Sequence, residues 1–174
     1  MYQFGRLHPV KDFESLINVF NKVLEKIPSS ELTIVGGGEE LEKLNNLSKK
    51  LNIADKVKIT GMVSKDDVKK YMLNSDIYVM TSITECFPMV LLEASSCGLP
   101  LISFDVPVGP KAIINEGENG YLIENRNKDE MANKIIELFE NREKLRKMGK
   151  KAKEEAIKFL PENVMEKWYN IFEN

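Results

Sequence analysis

Short apolar runs rich in β-branched and aromatic residues alternate with longer amphipathic segments along the first two thirds of the chain. Six of these runs predict strands, at 2–4, 32–35, 57–59, 77–80, 101–104 and 121–123. Apolar residues recur at helical spacing between them, which predicts helices over 13–26, 39–51, 64–74 and 90–97. Parallel neighbouring strands need crossover connections, and helices are the usual ones. The order therefore predicts an α/β fold, a Rossmann-like parallel sheet with helices on both faces.

The last third of the chain is mostly helical in pattern. A Gly- and Pro-rich loop covers 105–120, and helices are predicted over 128–140, 142–159 and 162–173. Pro161 separates the last two, because proline tends to end the helix before it. The 174 residues contain no internal repeat and no low-complexity linker, and this length is sufficient for one buried core. We therefore expect residues 1–174 to form one domain.

The composition excludes several classes of protein. The formal net charge is −2, so the chain lacks the basic surface that a nucleic-acid backbone requires, and nucleic acid is not an expected partner. Cys86 and Cys97 have no zinc-site spacing and are too few for a disulfide framework, which favours reduced thiols in the cytoplasm. Neither a signal-peptide pattern nor a stretch of ~18 apolar residues is present, so the sequence itself carries no signal for export or membrane insertion.

The loops after the strands are where functional residues are expected, because ligands of open α/β sheets bind outside the carboxyl ends of the strands. The loop after the first strand holds Arg6 and Lys11, and the loop after the fourth strand holds Glu85. Glycines follow the second and third strands, at 36–38 and at 61. Cations, carboxylates and glycines are therefore expected to converge on one edge of the sheet.

The glycine run 36–38 lacks the G-x-G-x-x-G spacing of a dinucleotide-binding fingerprint, because position 41 is Leu and the run follows the second strand. Its glycines either form a tight turn or let the backbone approach a ligand, and the sequence leaves both interpretations open. A Walker A loop is missing too, since the Gly-Lys pair at 149–150 is followed by another Lys. NAD binding is only weakly indicated, and an ATPase is not indicated.

The segment 85–94 carries two glutamates, Glu85 and Glu93, separated by seven residues. A helix that begins at about Pro88 places Glu85 in the loop at the sheet edge and Glu93 about a turn and a half into the helix, so both can face one cleft. Backbone N–H groups at the helix N-terminus favour a phosphate in that cleft. Glu93 lies among apolar residues, and burying a carboxylate without a partner is costly. Its expected role is therefore hydrogen bonding, either to a neighbouring turn or, as the sharper hypothesis, to a ligand hydroxyl.

These features resemble the family-four glycosyltransferases, which have two Rossmann-like domains in the GT-B arrangement and a Glu-x7-Glu motif in the C-terminal one. Glu85 and Glu93 have that spacing. The resemblance spans the chain and rests on Gly5-Arg6-Leu7 with Lys11, Val35-Gly36-Gly37-Gly38, Glu85-Cys86-Phe87-Pro88, Leu92-Glu93-Ala94, Cys97-Gly98-Leu99-Pro100, the segment 117–122 and a closing helix with Trp168. It implies the C-terminal, donor-binding half of such an enzyme, with the N-terminal, acceptor-binding domain absent from the chain.

The resemblance also implies roles for single residues. Arg6 and Lys11 would bind the donor diphosphate. Glu85, as the catalytic residue, would contact hydroxyls of the transferred sugar, and Glu93 would accept hydrogen bonds from the ribose. The remaining donor-binding positions are Gly37, Val63, Cys86, Phe87, Pro88, Met89 and Val90, with 61–63 framing the base and the N–H groups of 87, 89 and 90 holding sugar and phosphate.

Cys86 and Pro88 depart from the family pattern, because many members have glycine on both sides of the Phe in this loop. Pro88 has no N–H to donate, so the contacts with the sugar are expected to differ. Cys86 has no His or Lys as a sequence neighbour, which favours a packing role over nucleophilic catalysis.

The implied function is retaining transfer of a sugar from a nucleotide-diphosphate sugar, with a UDP-sugar as the first candidate, to a glycan, capsule or glycolipid. The resemblance implies no metal and no other cofactor, and the chain alone is expected to be inactive. Two alternatives stay open. One is a UDP-sugar epimerase of similar fold, against which the Glu85 and Glu93 spacing weighs, and the other is a non-catalytic nucleotide-sugar-binding module.

The expected partners are the nucleotide sugar and, through the N-terminal domain, a glycan or lipid-linked acceptor. Lysines recur at 147, 150, 151 and 153, a pattern more typical of a solvated helix face than of a membrane patch. A lipid-linked acceptor nevertheless leaves peripheral association with the inner membrane face open. The expected location is the cytoplasm.

Overall fold

The computed structural model describes residues 1–172, apart from the side chains of Lys167 and Asn170. Its six strands form one sheet in the order β3-β2-β1-β4-β5-β6, and every pairing in it is parallel. The strands are β1 (Tyr2–Phe4), β2 (Leu32–Val35), β3 (Val57–Ile59), β4 (Tyr78–Met80), β5 (Leu101–Phe104) and β6 (Gly120–Ile123). The chain moves outward from β1 to β3 and then returns to place β4 on the other side of β1. The predicted Rossmann-like fold is confirmed, and the reversal places the switch point between β1 and β4.

Seven helices accompany these strands within the described residues. They are α1 (Phe13–Lys26), α2 (Leu41–Lys50), α3 (Lys65–Leu73), α4 (Met89–Ser96), α5 (Lys128–Glu140), α6 (Arg142–Ala156) and α7 (Pro161–Phe172). The helix predicted over 142–159 is shorter than expected, because its last three residues form a 3-10 turn, Ile157–Phe159. Position 173, the end of the last predicted helix, lies outside the described residues. None of the helices in this part of the chain is long and apolar enough to cross a membrane.

Apolar side chains cover both faces of the sheet, as parallel strands require. Along β4, Val79 points into the core formed with α1, α2 and α5, whereas Tyr78 and Met80 point into the core formed with α3 and α4. This alternation follows from the two-residue period of a strand. Because helices cover both faces of the sheet, the carboxyl ends of the strands are open and are bordered by loops. A ligand of such a sheet is expected at this edge.

Candidate functional site

The loops after β1, β2 and β3 are joined by backbone hydrogen bonds. The N–H of Leu7 donates to the carbonyl oxygen of Gly37 at 3.0 Å, and that of Gly36 donates to Gly61 at 3.1 Å. A Cβ on Gly36 would stand 1.9 Å from the carbonyl oxygen of Gly5, and one on Gly38 would stand 2.4 Å from that of Leu7. The structure therefore supports the tight-turn interpretation for Gly36 and Gly38, because a side chain at either position would overlap the backbone of the loop after β1.

Gly37 and Val63 are both partly exposed and lie beside the exposed side chain of Met62. A Cβ on Gly37 would meet the Met62 side chain at 3.0 Å, and Met62 itself is 86% exposed. Val63 is half-buried and packs against the core beneath α3 and α4. Both residues thus border the surface next to the third strand's end, and their contact with a nucleobase stays a prediction.

Lys11 and Glu85 meet at the switch point, although they lie 74 positions apart in sequence. The Lys11 Nζ donates to the Glu85 Oε1 at 2.7 Å, and the Glu85 side chain is only 12% exposed. Lys11 ends a 3-10 turn after β1, and Glu85 follows β4, so the two neighbouring strands present them to each other. A cation and a carboxylate that are partly removed from water interact more strongly than an exposed pair.

Arg6 differs from Lys11 in its surroundings. Its side chain is exposed, and the described residues place no carboxylate within 4 Å of it. The loop after β1 therefore offers one cation paired at the switch point and one that faces solvent. Free guanidinium donors suit a phosphate, since the fork of N–H groups matches its oxygens.

The segment between β4 and α4 is held by the loop after β5. Pro88 is buried at the cap of α4, outside the helix proper, and a Cβ on Gly109 would stand 2.8 Å from its Cδ. Cys86 is exposed, and the Phe87 ring packs on Phe159 with the ring centroids 6.0 Å apart. The α4 N-terminus, with Met89 and Val90 as its first residues, leaves its initial N–H groups without intrahelical acceptors.

Glu93 is exposed, which corrects the expectation that it lies buried in an apolar helix. Its neighbours Leu91 and Ala94 point into the core, whereas Glu93 lies on the wall of a cavity of about 460 Å³ between α3 and α4. Partial desolvation raises the pKa of Glu93 above its ordinary value, and Lys65 acts weakly in the opposite direction. The described residues provide no hydrogen-bond donor to its carboxylate, so no structural partner accounts for it.

Glu85 and Glu93 both lie near the end of β4. Burial raises the pKa of the Tyr78 hydroxyl well above its usual range, and the negative charges of Glu85 and Glu93 contribute in the same direction. That the two carboxylates share one cleft stays a prediction. Within the part of the chain that is described, no group of three or more His, Cys, Asp or Glu side chains could hold a metal ion. Independence from metals stays a prediction.

Arg126 contacts the loops of the candidate site, and the sequence analysis missed it. It lies in the 3-10 turn Glu124–Arg126, directly after β6. Its guanidinium donates to the carbonyl oxygens of Thr81 and Ser82, both at 2.9 Å, and to the carboxylate of Asp12. A lone Arg in the short connection between a predicted strand and a predicted helix has no motif, and the only available signal was its position after the sixth strand, at the same edge as Lys11 and Glu85.

The sheet order and the residues at its switch point define a class of protein, the Rossmann-like α/β domains that hold a ligand between β1 and β4. The chain belongs to the family described as glycosyl transferases group 1, whose sequence profile matches residues 1–155. The resemblance to GT-B glycosyltransferases is thereby confirmed.

Two relatives and one solved structure illustrate the similarity. An uncharacterized glycosyltransferase of Haemophilus influenzae is 36% identical over 167 residues, which cover 96% of this chain and 47% of that protein. The poly(ribitol-phosphate) alpha-N-acetylglucosaminyltransferase of Staphylococcus aureus is 32% identical over 97% of this chain and 34% of its own length. A crystal structure of a mutant of S. aureus TarM with fondaparinux, alpha-GlcNAc-glycerol and UDP is 31% identical, with a TM-score of 0.90 over 99% of this chain and 35% of that one. The chain thus spans less than half the length of each.

Proposed function

We propose that this chain is the donor-binding domain of a retaining glycosyltransferase that transfers a sugar from a UDP-sugar to a glycan, capsule or glycolipid acceptor. The observation that carries the proposal is the Lys11 and Glu85 pair at the switch point, beside the N-terminus of α4. A cation, a carboxylate and free N–H donors are what a sugar diphosphate needs: charge neutralisation for phosphates and an acceptor for hydroxyls. The presence of UDP in the TarM crystal structure supports UDP as the nucleotide.

The diphosphate is held by Arg6, Lys11 and the first N–H groups of α4. These groups neutralise the charge that leaves on the nucleotide as the sugar bond breaks, and preorganised donors of this kind stabilise a developing anion. They replace a metal ion in that role. Pro88 supplies no N–H, so the sugar contacts in this segment come from Glu85 and from the N–H of Phe87 and Met89.

The nucleoside lies on the opposite side of the phosphates. Glu93 accepts hydrogen bonds from the ribose hydroxyls, for which its exposure and its lack of a described partner leave it available. Gly37 and Val63 border the base. Glu85 contacts the hydroxyls of the transferred sugar, because it lies in the loop at the sheet edge rather than on the helix wall.

The acceptor is held by a second domain, as the greater length of the relatives suggests. The chain alone then binds donor without transferring sugar. An epimerase of similar fold is less favoured, since the chain matches the glycosyltransferase profile over 155 residues. The other alternative is a non-catalytic nucleotide-sugar-binding module. Such a module would have the same donor site, but the complete protein would transfer no sugar.

Titration calorimetry of the chain with UDP, GDP, UDP-glucose and UDP-N-acetylglucosamine tests the donor site. UDP and at least one UDP-sugar should bind, and the double variant Arg6→Ala/Lys11→Ala should lose most of the affinity. Circular dichroism checks that the variant is folded. If the folded wild-type chain binds none of these nucleotides, the proposed function is wrong.

Peripheral association with an anionic membrane surface is the second part of the proposal, and α6 supports it. Four cations on its exposed side, Arg146, Lys147, Lys150 and Lys153, have no carboxylate within 4 Å among the described residues. Lys147 and Lys150 also line a cavity of about 530 Å³ beside Gly117. Basic clusters of this size attract anionic lipids, by about 1 kcal/mol per cation near the surface.

Sedimentation with vesicles tests this association. The chain should bind vesicles of phosphatidylglycerol and phosphatidylcholine, at low salt and less at high salt, but not vesicles of phosphatidylcholine alone. Lys147→Gln/Lys150→Gln/Lys153→Gln should abolish binding, whereas the matched exposed triple Lys26→Gln/Lys49→Gln/Lys50→Gln should retain it. Equal loss in both triples would mean that net charge, rather than α6, is responsible.

A further inference from the structure

The turn after β6 has an unfavourable backbone. Asn125 and Arg126 both have positive φ angles, 51° and 53°, which residues with a Cβ rarely adopt. Two such residues in succession persist only where the surrounding contacts hold them. The contacts here are those of the Arg126 guanidinium, which also lies 4.4 Å from the centroid of the Phe104 ring.

Arg126 connects the two loops that carry Lys11 and Glu85. Its ion pair is with Asp12, the residue next to Lys11, and its other two acceptors are the carbonyls of Thr81 and Ser82, which precede Glu85. The Arg126 side chain is 32% exposed, so its contacts with both loops are partly shielded from water.

Further bonds join the same two loops. The Thr81 hydroxyl lies 2.9 Å from the carbonyl oxygen of Asp12 and 3.1 Å from that of Lys11. The N–H of Ile83 donates to the carbonyl oxygen of Val10 at 2.8 Å. Arg126 differs from these bonds in that one side chain contacts both loops at once.

We propose that Arg126 is a positioning residue of the donor site, which fixes the loop of Lys11 against the loop of Glu85. The inference rests on the proposed function. Without Arg126, the Asp12 carboxylate keeps only its bonds from Ser15, and the carbonyls of Thr81 and Ser82 lose their donor. The remaining bonds between the two loops then hold them less firmly. Contacts with the diphosphate and sugar then weaken, while the nucleoside contacts of Glu93, on the wall of α4, are unaffected.

The experiment compares UDP, which uses both parts of the site, with uridine, which uses only the nucleoside part. Arg126→Ala should lower UDP affinity about tenfold, while uridine affinity, followed by NMR titration, stays within about twofold. Asp12→Asn tests the same link without removing the N-cap of α1, because Asn caps helices as well as Asp. It should lower UDP affinity in the same direction. Arg126→Lys keeps the charge but not the fork of donors, and should restore part of the UDP affinity.

Arg142→Ala is the matched control. Arg142 forms an ion pair with Asp76 at 2.9 Å and lies over Phe139, at the opposite edge of the sheet. It should change neither affinity. If UDP binds equally well to wild type and to Arg126→Ala, or if UDP and uridine are lost equally from a folded Arg126→Ala or Asp12→Asn chain, the inference is overturned. Failure of wild type to bind UDP would instead overturn the proposed function.

Discussion

Lys11 and Arg6 differ in what their removal leaves behind. Each truncation, Lys11→Ala or Arg6→Ala, should weaken UDP binding by about 1.5–3 kcal/mol, the usual value of a hydrogen bond to a charged group. Only Lys11→Ala should also destabilise the fold, by about 1 kcal/mol, because it leaves the Glu85 carboxylate without its partner at 12% exposure. Calorimetry and thermal unfolding measure the two effects.

Arg6→Ala serves as the internal control for stability, since its exposed side chain has no described carboxylate partner and should change unfolding little. Unchanged UDP affinity in both variants, with the fold intact, would remove these residues from the phosphate site.

Glu93 and Glu85 are predicted to serve different parts of the donor. Glu93→Gln should weaken UDP and UDP-sugar alike by about 1–3 kcal/mol, because the charged acceptor for the ribose is lost. Glu85→Gln should spare UDP and reduce the preference for the UDP-sugar, since only Glu85 lies in the loop after β4. Titrating each variant with both ligands separates these roles. Equal losses for both ligands in both variants would contradict the assignment.

The raised pKa of Glu93 gives a prediction for stability. Folding penalises the charged form, so the penalty is complete above the raised pKa, fades as the pH falls towards the ordinary value of 4.5, and vanishes below it. Glu93→Gln should therefore raise Tm slightly at pH 7 and make no difference at pH 3. Thermal unfolding across this range checks it. A lower Tm at pH 7 would indicate a structural role for the carboxylate instead.

At the scale of elements, the turns at the carboxyl edge depend on particular glycines. Gly36 and Gly61 both have positive φ angles, 145° and 72°, but only a Cβ added at Gly36 would meet another backbone. Gly36→Ala should cost more than about 2 kcal/mol, because its Cβ would overlap the Gly5 carbonyl, whereas Gly61→Ala should cost about 1 kcal/mol for the left-handed backbone alone. Urea unfolding measures both. Equal costs would mean that the Gly5 loop moves aside without strain.

At the scale of the whole molecule, the chain should bind a UDP-sugar and transfer nothing. Retaining transfer needs an acceptor held against the anomeric carbon, and such positioning supplies about 7–11 kcal/mol of the barrier. The open edge should also hydrolyse UDP-sugar slowly, because closure is what excludes water and completes such sites. UDP release from the chain with UDP-sugars and simple acceptors measures both activities. Multiple turnovers with glycoside formation would show that a second domain is not needed.

Local patterns in the sequence were sufficient for the class of fold and for most element bounds. The strand runs and the helical spacing predicted α1 and α5 to the residue, because both helices bury one apolar side on the sheet. The longer helix over 142–159 was wrong at its end, since a change from α to 3-10 geometry over Ile157–Phe159 leaves the apolar spacing almost unchanged.

Residue types at strand ends, together with the family resemblance, also singled out Arg6, Lys11, Glu85 and Glu93 before any contact was known. Only the tertiary structure showed that Lys11 pairs with Glu85, that Glu93 faces a cavity instead of the core, and that Arg126 joins the two loops. These contacts join residues 44 or more positions apart or depend on which side of α4 a residue faces. Spacing within a segment reports periodicity, whereas the order of strands in the sheet decides which loops become neighbours.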